Sequence, residues 1–285
     1  MKFLLVLAVV VSVSTFTSPV SAQVKLSFPP WKNTNCSFDD SVGLDPALIC
    51  TPSSDGKEII FSWDDEVIST RYQYVKPVRL FKKGTKVAYS FSTSWILNVN
   101  RDFERSEQRV FGGGFAFAIT PDQLTRNAGV GSIGLFPINT ENGKPLSSQS
   151  PKTVAVEIDT AQDGFKWDSA QLPHLGIDVN SLKSVKSRYL WNQTNFVSRK
   201  IGYFVDYDAK KESIEVRVQN ITSNGKLNKK KSVLWLSYSG LKLSKQVNEY
   251  SYVGFSSRVP ITTDGTYILY EWNFETKEVL TNKKQ

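Results

Sequence analysis

One histidine and two cysteines in 285 residues are few, and their scarcity narrows the chemistry. The lone imidazole, His174, has no Ser or Cys signature beside it, which leaves no nucleophile–base pair for covalent catalysis. Cys36 and Cys50 are too far apart for the C-x-x-C spacing that redox exchange uses. The chain also lacks a helical stripe of any length, an internal repeat and a low-complexity tract. Beyond its first segment, no apolar run is long enough to span a bilayer, so no membrane partner is expected. Apolar residues at 40% and charged residues at 22% are ordinary for a globular chain, which excludes wholesale disorder.

The one long apolar run opens the chain. Lys2 is followed by FLLVLAVVVSV and then by the small-residue exit Val20-Ser21-Ala22. A charged start, a short apolar stretch and a V-x-A end predict a cleaved secretory signal over residues 1–22. In an oxidising compartment a Cys36–Cys50 disulfide is the default. Closing such a loop of about 15 residues is worth about 3 kcal/mol. Three N-x-S/T sequons, at Asn35, Asn192 and Asn220, are glycosylation acceptors and predict surface positions.

Aromatics are plentiful: seven Trp, eleven Tyr and seventeen Phe. Aromatic and β-branched residues favour strands, which are expected at 57–63, 74–81, 87–99, 115–119, 153–159 and 175–179. Further ones are expected at 200–207, 213–219, 231–237, 250–256 and 267–274. In 87–99, Val87, Tyr89, Phe91, Thr93 and Trp95 share one face, with Ala88, Ser90, Ser92 and Ser94 on the other. Asp55-Gly56, Lys83-Gly84, Asn142-Gly143, Asn224-Gly225 and Asp264-Gly265 supply turns. Strands without helices predict an all-β fold, a two-sheet antiparallel β-sandwich with function on its loops. One domain over residues 23–275 accounts for it, and 276–285, with Lys283-Lys284, is expected to be a flexible basic tail.

The strand Val154-Ala155-Val156-Glu157-Ile158-Asp159 carries the chemistry. Alternation puts Glu157 and Asp159 on one face and Ile158 on the other. Two neighbouring carboxylates repel unless something positive lies between them. The following loop adds Asp163 and Asp168, and His174 precedes the next strand. Four carboxylates and one imidazole on a strand–loop–strand unit suit a divalent cation: oxygen ligands favour Ca²⁺, and the imidazole favours Mn²⁺ or Zn²⁺. A solvated acidic loop with an incidental histidine is the plainer alternative. Glycoside hydrolysis is disfavoured. A retaining hydrolase needs two carboxyls about 5–5.5 Å apart as nucleophile and acid/base, and the downstream candidates, Ala161 and Gln162, cannot donate a proton.

The run VAVEIDT…WD…PHLGIDVNSL resembles the central signature of the legume-type (L-type) lectins. KPVRLFKKGTKVAYSFSTSW, FGGGFAFAITPDQ…GVGSIGLF, SYVGFSS and ILYEWNF resemble the same family in its order, across roughly residues 70 to 275. The resemblance implies a concanavalin-like jelly roll carrying Ca²⁺ and Mn²⁺ beside a shallow sugar site. Glu157 and His174 would then be transition-metal ligands, and Asp159 and Asp168 would bridge both ions. The calcium would also take the main-chain carbonyl of Ala161 and a side-chain oxygen of Asp163.

The sugar site departs from the family. Its usual A-D-G segment aligns with Gly112-Gly113-Gly114, which removes the carboxylate that accepts from sugar hydroxyls. The usual stacking aromatic aligns with Ala161, and the usual asparagine with Asp163, which has no amide N–H to donate. Gly131 retains a backbone donor. Phe165 or Trp167 could supply a substitute stacking face; packing of the loop is the plainer role for both.

The net charge of +8 is unevenly informative. Lys229-Lys230-Lys231 has no interleaved aromatics and is read as a solvated hairpin, so no nucleic-acid partner is expected. A basic surface could steer acidic glycans or cell-wall polysaccharides. The sequence therefore predicts a secreted plant lectin-like protein, apoplastic or vacuolar, that binds glycans or glycoproteins without catalysis. The alternative is a lectin-derived defence or interaction protein that has lost simple sugar binding. Pairing through a flat sheet face would give a homodimer and avidity.

Overall fold

The computed structural model describes residues 23–32, 34–38, 51–53, 55–61, 68–101, 113–123, 132–148, 150–160, 167, 173–190, 199–222, 225–259 and 265–285. The signal segment, Cys50, Gly131, Ala161, Asp163, Asp168 and Asn192 lie outside them, as do the side chains of Asn35 and Cys36.

Strand follows strand as the alternation requires. In chain order they are β1 (Lys25–Phe28), β2 (Thr34–Phe38), β3 (Thr51–Pro52), β4 (Ile59–Phe61), β5 (Ile68–Tyr74), β6 (Val78–Arg79), β7 (Val87–Arg101) and β8 (Gly114–Thr120). Then come β9 (Val154–Asp159), β10 (His174–Val179), β11 (Lys186–Tyr189), β12 (Lys200–Asp208), β13 (Ser213–Asn220), β14 (Val233–Ser239), β15 (Tyr250–Val259) and β16 (Gly265–Leu280). Among the described residues the α-helix is limited to one turn, α1 (Leu243–Gln246), and no helix is long and apolar enough to cross a membrane.

Among the described residues all pairings are antiparallel, and they make two eight-stranded sheets. The first runs β14-β13-β12-β7-β16-β4-β3, with β1 also on β16; the second runs β11-β10-β9-β8-β15-β5-β2, with β6 on β15. The core fills the space between them. Tyr89, Phe91, Thr93 and Trp95 of β7 are buried, whereas Ser90, Ser92 and Ser94 remain half-exposed. Trp95 stacks on Tyr203 at 5.2 Å and meets Phe255 edge-on at 5.6 Å. Phe255 in turn meets Trp272 edge-on at 5.1 Å. The Trp272 Nε1 donates to Thr93 Oγ1 at 3.0 Å, which satisfies the buried indole.

Three expectations are corrected. The strand expected at 74–81 is broken: β5 ends at Tyr74 and β6 keeps only Val78 and Arg79, with Pro77, which has no N–H to give a ladder, between them. The segment 276–285 is not a loose tail. Thr276 to Leu280 continue β16 along Phe91 to Val87 of β7, and Gln285 exchanges backbone bonds with the 82–86 turn, donating to Thr85 O at 2.7 Å and accepting from Gly84 N at 3.1 Å. A long partner strand and an adjacent turn satisfy its backbone, so its charge does not free it. Lys229–Lys231 is a 3-10 turn rather than a hairpin, capped by Asn228, and Lys229 pairs with Asp206 at 2.6 Å.

Trp95 is fully buried and Ser94 beside it is not. Trp95→Ala is expected to cost about 3–5 kcal/mol and Ser94→Ala within about 0.5 kcal/mol. Urea unfolding of both variants measures this, and equal losses would contradict the placement of the two faces.

Candidate functional site

The outer face of the second sheet is built in cross-strand rows. One row reads Ser69, Arg258, Gly114, Asp159, His174; the next reads Arg71, Ser256, Ala116, Glu157, Gly176; the third reads Gln73, Gly254, Ala118, Ala155, Asp178. The middle of each row is small, so a loop can lie on it. Ile133, Leu135, Phe136 and Ile138 do so, forming a second apolar cluster with Ala116, Ala118 and Ala155. That covering strands backbone carbonyls away from water, and the sheet's polar side chains satisfy them. Ser256 Oγ donates to Ile133 O at 2.7 Å, and buried Arg71 donates to Leu135 O at 2.6 Å. Gly134, at φ 69, lies so close to the sheet that a Cβ would stand 3.0 Å from Ser257 O.

At the other end of the rows stand the predicted ligands. Glu157, Asp159 and His174 are 3%, 8% and 1% exposed, and they share this face. His174 Nε2 is 3.3 Å from Glu157 Oε1. Glu157 sits opposite Ala116 on one side and Gly176 on the other, which leaves room over the sheet for its chain. Ser184 Oγ reaches both Glu157 Oε1, at 2.6 Å, and Asp178 Oδ1, at 2.8 Å. A hydroxyl has one proton to give, so both contacts are hydrogen bonds only when one carboxyl is protonated. Burial, and then the charge of Glu157, pushes the Asp178 carboxyl well above the usual carboxylate range.

These residues fit a divalent cation. Among the described residues Glu157 meets an imidazole and a hydroxyl rather than a lysine or arginine, and a buried carboxylate without a cation is costly. Adjacent donors of an octahedral ion bound at about 2.1 Å must lie roughly 3 Å apart, close to the Glu157–His174 spacing. Among the described residues no group of three or more His, Cys, Asp or Glu is placed to hold an ion; Asp163 and Asp168 lie outside them.

Of the sugar-site positions, Gly113 is described. Its carbonyl accepts from Thr160 N at 3.2 Å and Thr160 Oγ1 at 3.1 Å, and Thr160 shares a 2.9 Å bond with Tyr267. Trp167 takes its packing role: Nε1 donates to Thr140 O at 2.8 Å and the ring rests on Gly143. Asn220 is exposed at the end of β13, as an acceptor site requires. Three contributors escaped the sequence reading. Asp178 and Ser184 are polar residues beyond the histidine whose approach to Glu157 depends on the β9–β10 register. Arg71 lies in a polar strand with no apolar alternation to announce its burial. Gly176 was the available signal, a glycine inside a strand that marks a close approach.

The legume lectin domain model matches residues 27–285. The anti-H(O) lectin 1 of Ulex europaeus is 26% identical over 248 residues, covering 81% of this chain and 95% of that protein. Among solved structures, lectin II from Ulex europaeus superimposes with a TM-score of 0.68 at 22% identity, covering 89% of this chain and 98% of that one. Arcelin-5, a lectin-like defense protein from Phaseolus vulgaris, gives 0.67 at 19% identity over 90% and 99%.

A Cβ on Gly176 would fall onto Glu157 and Ser184. Gly176→Ala is expected to destabilise the chain by about 1–3 kcal/mol, measured by urea unfolding in EDTA. Native stability in that variant would mean that Glu157 does not lie over the glycine.

Proposed function

The chain belongs to the legume lectin domain family, and from that premise we propose that it is a secreted carbohydrate-binding protein with a Ca²⁺- and Mn²⁺-organised loop site and a remodelled sugar pocket. The observation that carries the metal reading is the buried Glu157–His174 pair, 3.3 Å apart with Asp159 on the same sheet face. By the family resemblance Glu157 and His174 would hold the transition ion, Asp159 and Asp168 would serve both ions, and Ala161 O and Asp163 would serve the calcium. The ions supply fixed positive charge that offsets the carboxylates and orders the loop. By the same resemblance Gly131, Ala161, Asp163 and the Gly113 segment would frame the sugar. Catalysis is no part of this reading, since Ala161 and Gln162 carry no acid. Glycans or glycoproteins are the partners.

A second reading is a lectin-derived defence or interaction protein without simple sugar binding. Gly113 favours it, because that position brings no carboxylate and its carbonyl already accepts two bonds from Thr160. The shared fold with a lectin-like defense protein is compatible with it.

EDTA is expected to lower the melting temperature by about 5–10 °C, the scale of a ligand at about 100 times its Kd, with recovery on adding Ca²⁺ and Mn²⁺. No shift in either direction would sink the ligand assignment. On a glycan array, hits that vanish in Asp163→Ala are expected; an empty array from metal-loaded protein would select the second reading.

A further inference from the structure

Three short segments, far apart in sequence, read KKGTK (82–86), KLSKQ (242–246) and TNKKQ (281–285). Together they hold seven lysines and no Asp or Glu. Hydrogen bonds join them into one surface. Gly84 N donates to Gln285 O at 3.1 Å, Gln285 N to Thr85 O at 2.7 Å, and Thr281 N to Lys86 O at 2.8 Å. Ser244 Oγ donates to Gln285 Oε1 at 3.0 Å, and Lys242 Nζ to Lys284 O at 3.4 Å. Six of the seven lysines are exposed, and Lys242 is half-exposed.

Among the described residues no carboxylate forms an ion pair with any of the seven. The neighbouring acids are engaged elsewhere: Glu249 accepts from Arg79 at 2.6 Å and from Lys83 N at 3.2 Å, and Glu278 accepts from Tyr89 at 2.8 Å. Bonded segments set their ammonium groups inside one another's field, which salt screens only beyond about 8 Å. Such self-repulsion works against the folded chain, and an anion from outside would relieve it.

The residues narrow the class of anion. None of the seven is arginine, whose planar fork suits phosphate, and the segments offer no aromatic ring on which a base could stack. Thr85, Ser244 and Asn282 place hydroxyls and an amide among the charges, as a ligand of hydroxyls and carboxylates requires. The surface also stands apart from the loops. Leu80 N donates to Glu249 O at 2.9 Å just before β15, Tyr252 of β15 faces Thr120, and Arg258 faces Gly114. The lysines therefore lie beyond the Thr120 end of β8, with Gly113 and Asp159 at the other end, roughly 20 Å away along the strand.

We propose that this end of the sandwich is a metal-independent binding surface for an acidic polysaccharide, a polyuronate whose ionised carboxylates pair with the lysines. A polymer held here leaves the loops at the opposite end open to another glycan.

The probe is immobilised polygalacturonate, titrated with the full chain in EDTA so that neither the loop site nor calcium bridging of the polymer contributes. Saturable binding is expected at about 0.01 M NaCl, weaker by at least about tenfold at about 0.5 M, and absent on the methyl-esterified polymer. The triple variant Lys82→Gln, Lys83→Gln, Lys86→Gln should lose about tenfold, three exposed charges at a few-fold each. The double variant Lys283→Gln, Lys284→Gln should lose about fivefold and keeps the test readable if the triple fails to fold. A control triple at exposed lysines elsewhere, Lys32→Gln, Lys226→Gln, Lys230→Gln, removes the same charge and should stay within about twofold. Absence of saturable binding would overturn the proposal, as would equal binding to the esterified polymer or an equal loss in the control triple. Binding that appears only when Ca²⁺ and Mn²⁺ are restored would place the polymer on the loops instead. Phosphatidylserine vesicles that displace the polymer at equal charge would refute the polyuronate as its partner.

Discussion

The carboxylate of Glu157 is buried, and among the described residues it is met by an imidazole and a hydroxyl instead of a lysine or arginine. Much of the second sheet is arranged around that charge. Its cross-strand neighbours are Ala116 and Gly176, and a Cβ on Gly176 would fall onto its side chain. Burial and the charge of Glu157 both push the neighbouring Asp178 carboxyl well above the usual carboxylate range. Such a centre gains from a cation and loses from anything that shifts the register of β9 against β10.

The sandwich supplies the rigidity. Aromatics packed between the sheets, stacked or edge-on, tie together β7, β12, β15 and β16, while the outer face of the second sheet is left small enough to accept a loop. The loop's carbonyls are then satisfied by Ser256 and Arg71. The same arginine also reaches Asp122, so one buried guanidinium ties the loop covering to the far end of β8.

Much of this was legible residue by residue. Trp95 and its alternating partners announced a half-buried strand, and Glu157 with Asp159 announced a shared face, because a period of two is a property of the extended chain itself. The polar strand β5 was missed because its buried residues serve a covering loop rather than the apolar core. The end of the chain was misread because a basic composition suggests solvent, whereas the partner strand β7 keeps offering backbone groups to Leu280.

By itself the sequence determined the fold class, the family and the side of the strand on which the acidic residues lie. These follow from local alternation and from motif order, which need no knowledge of distant neighbours. Tertiary structure alone decided that Ser184 and Asp178 join Glu157 and that Arg71 is buried beneath a loop. Each of those depends on register and on chain segments tens of residues apart, and the free energy that selects them comes from burial, which no local pattern records.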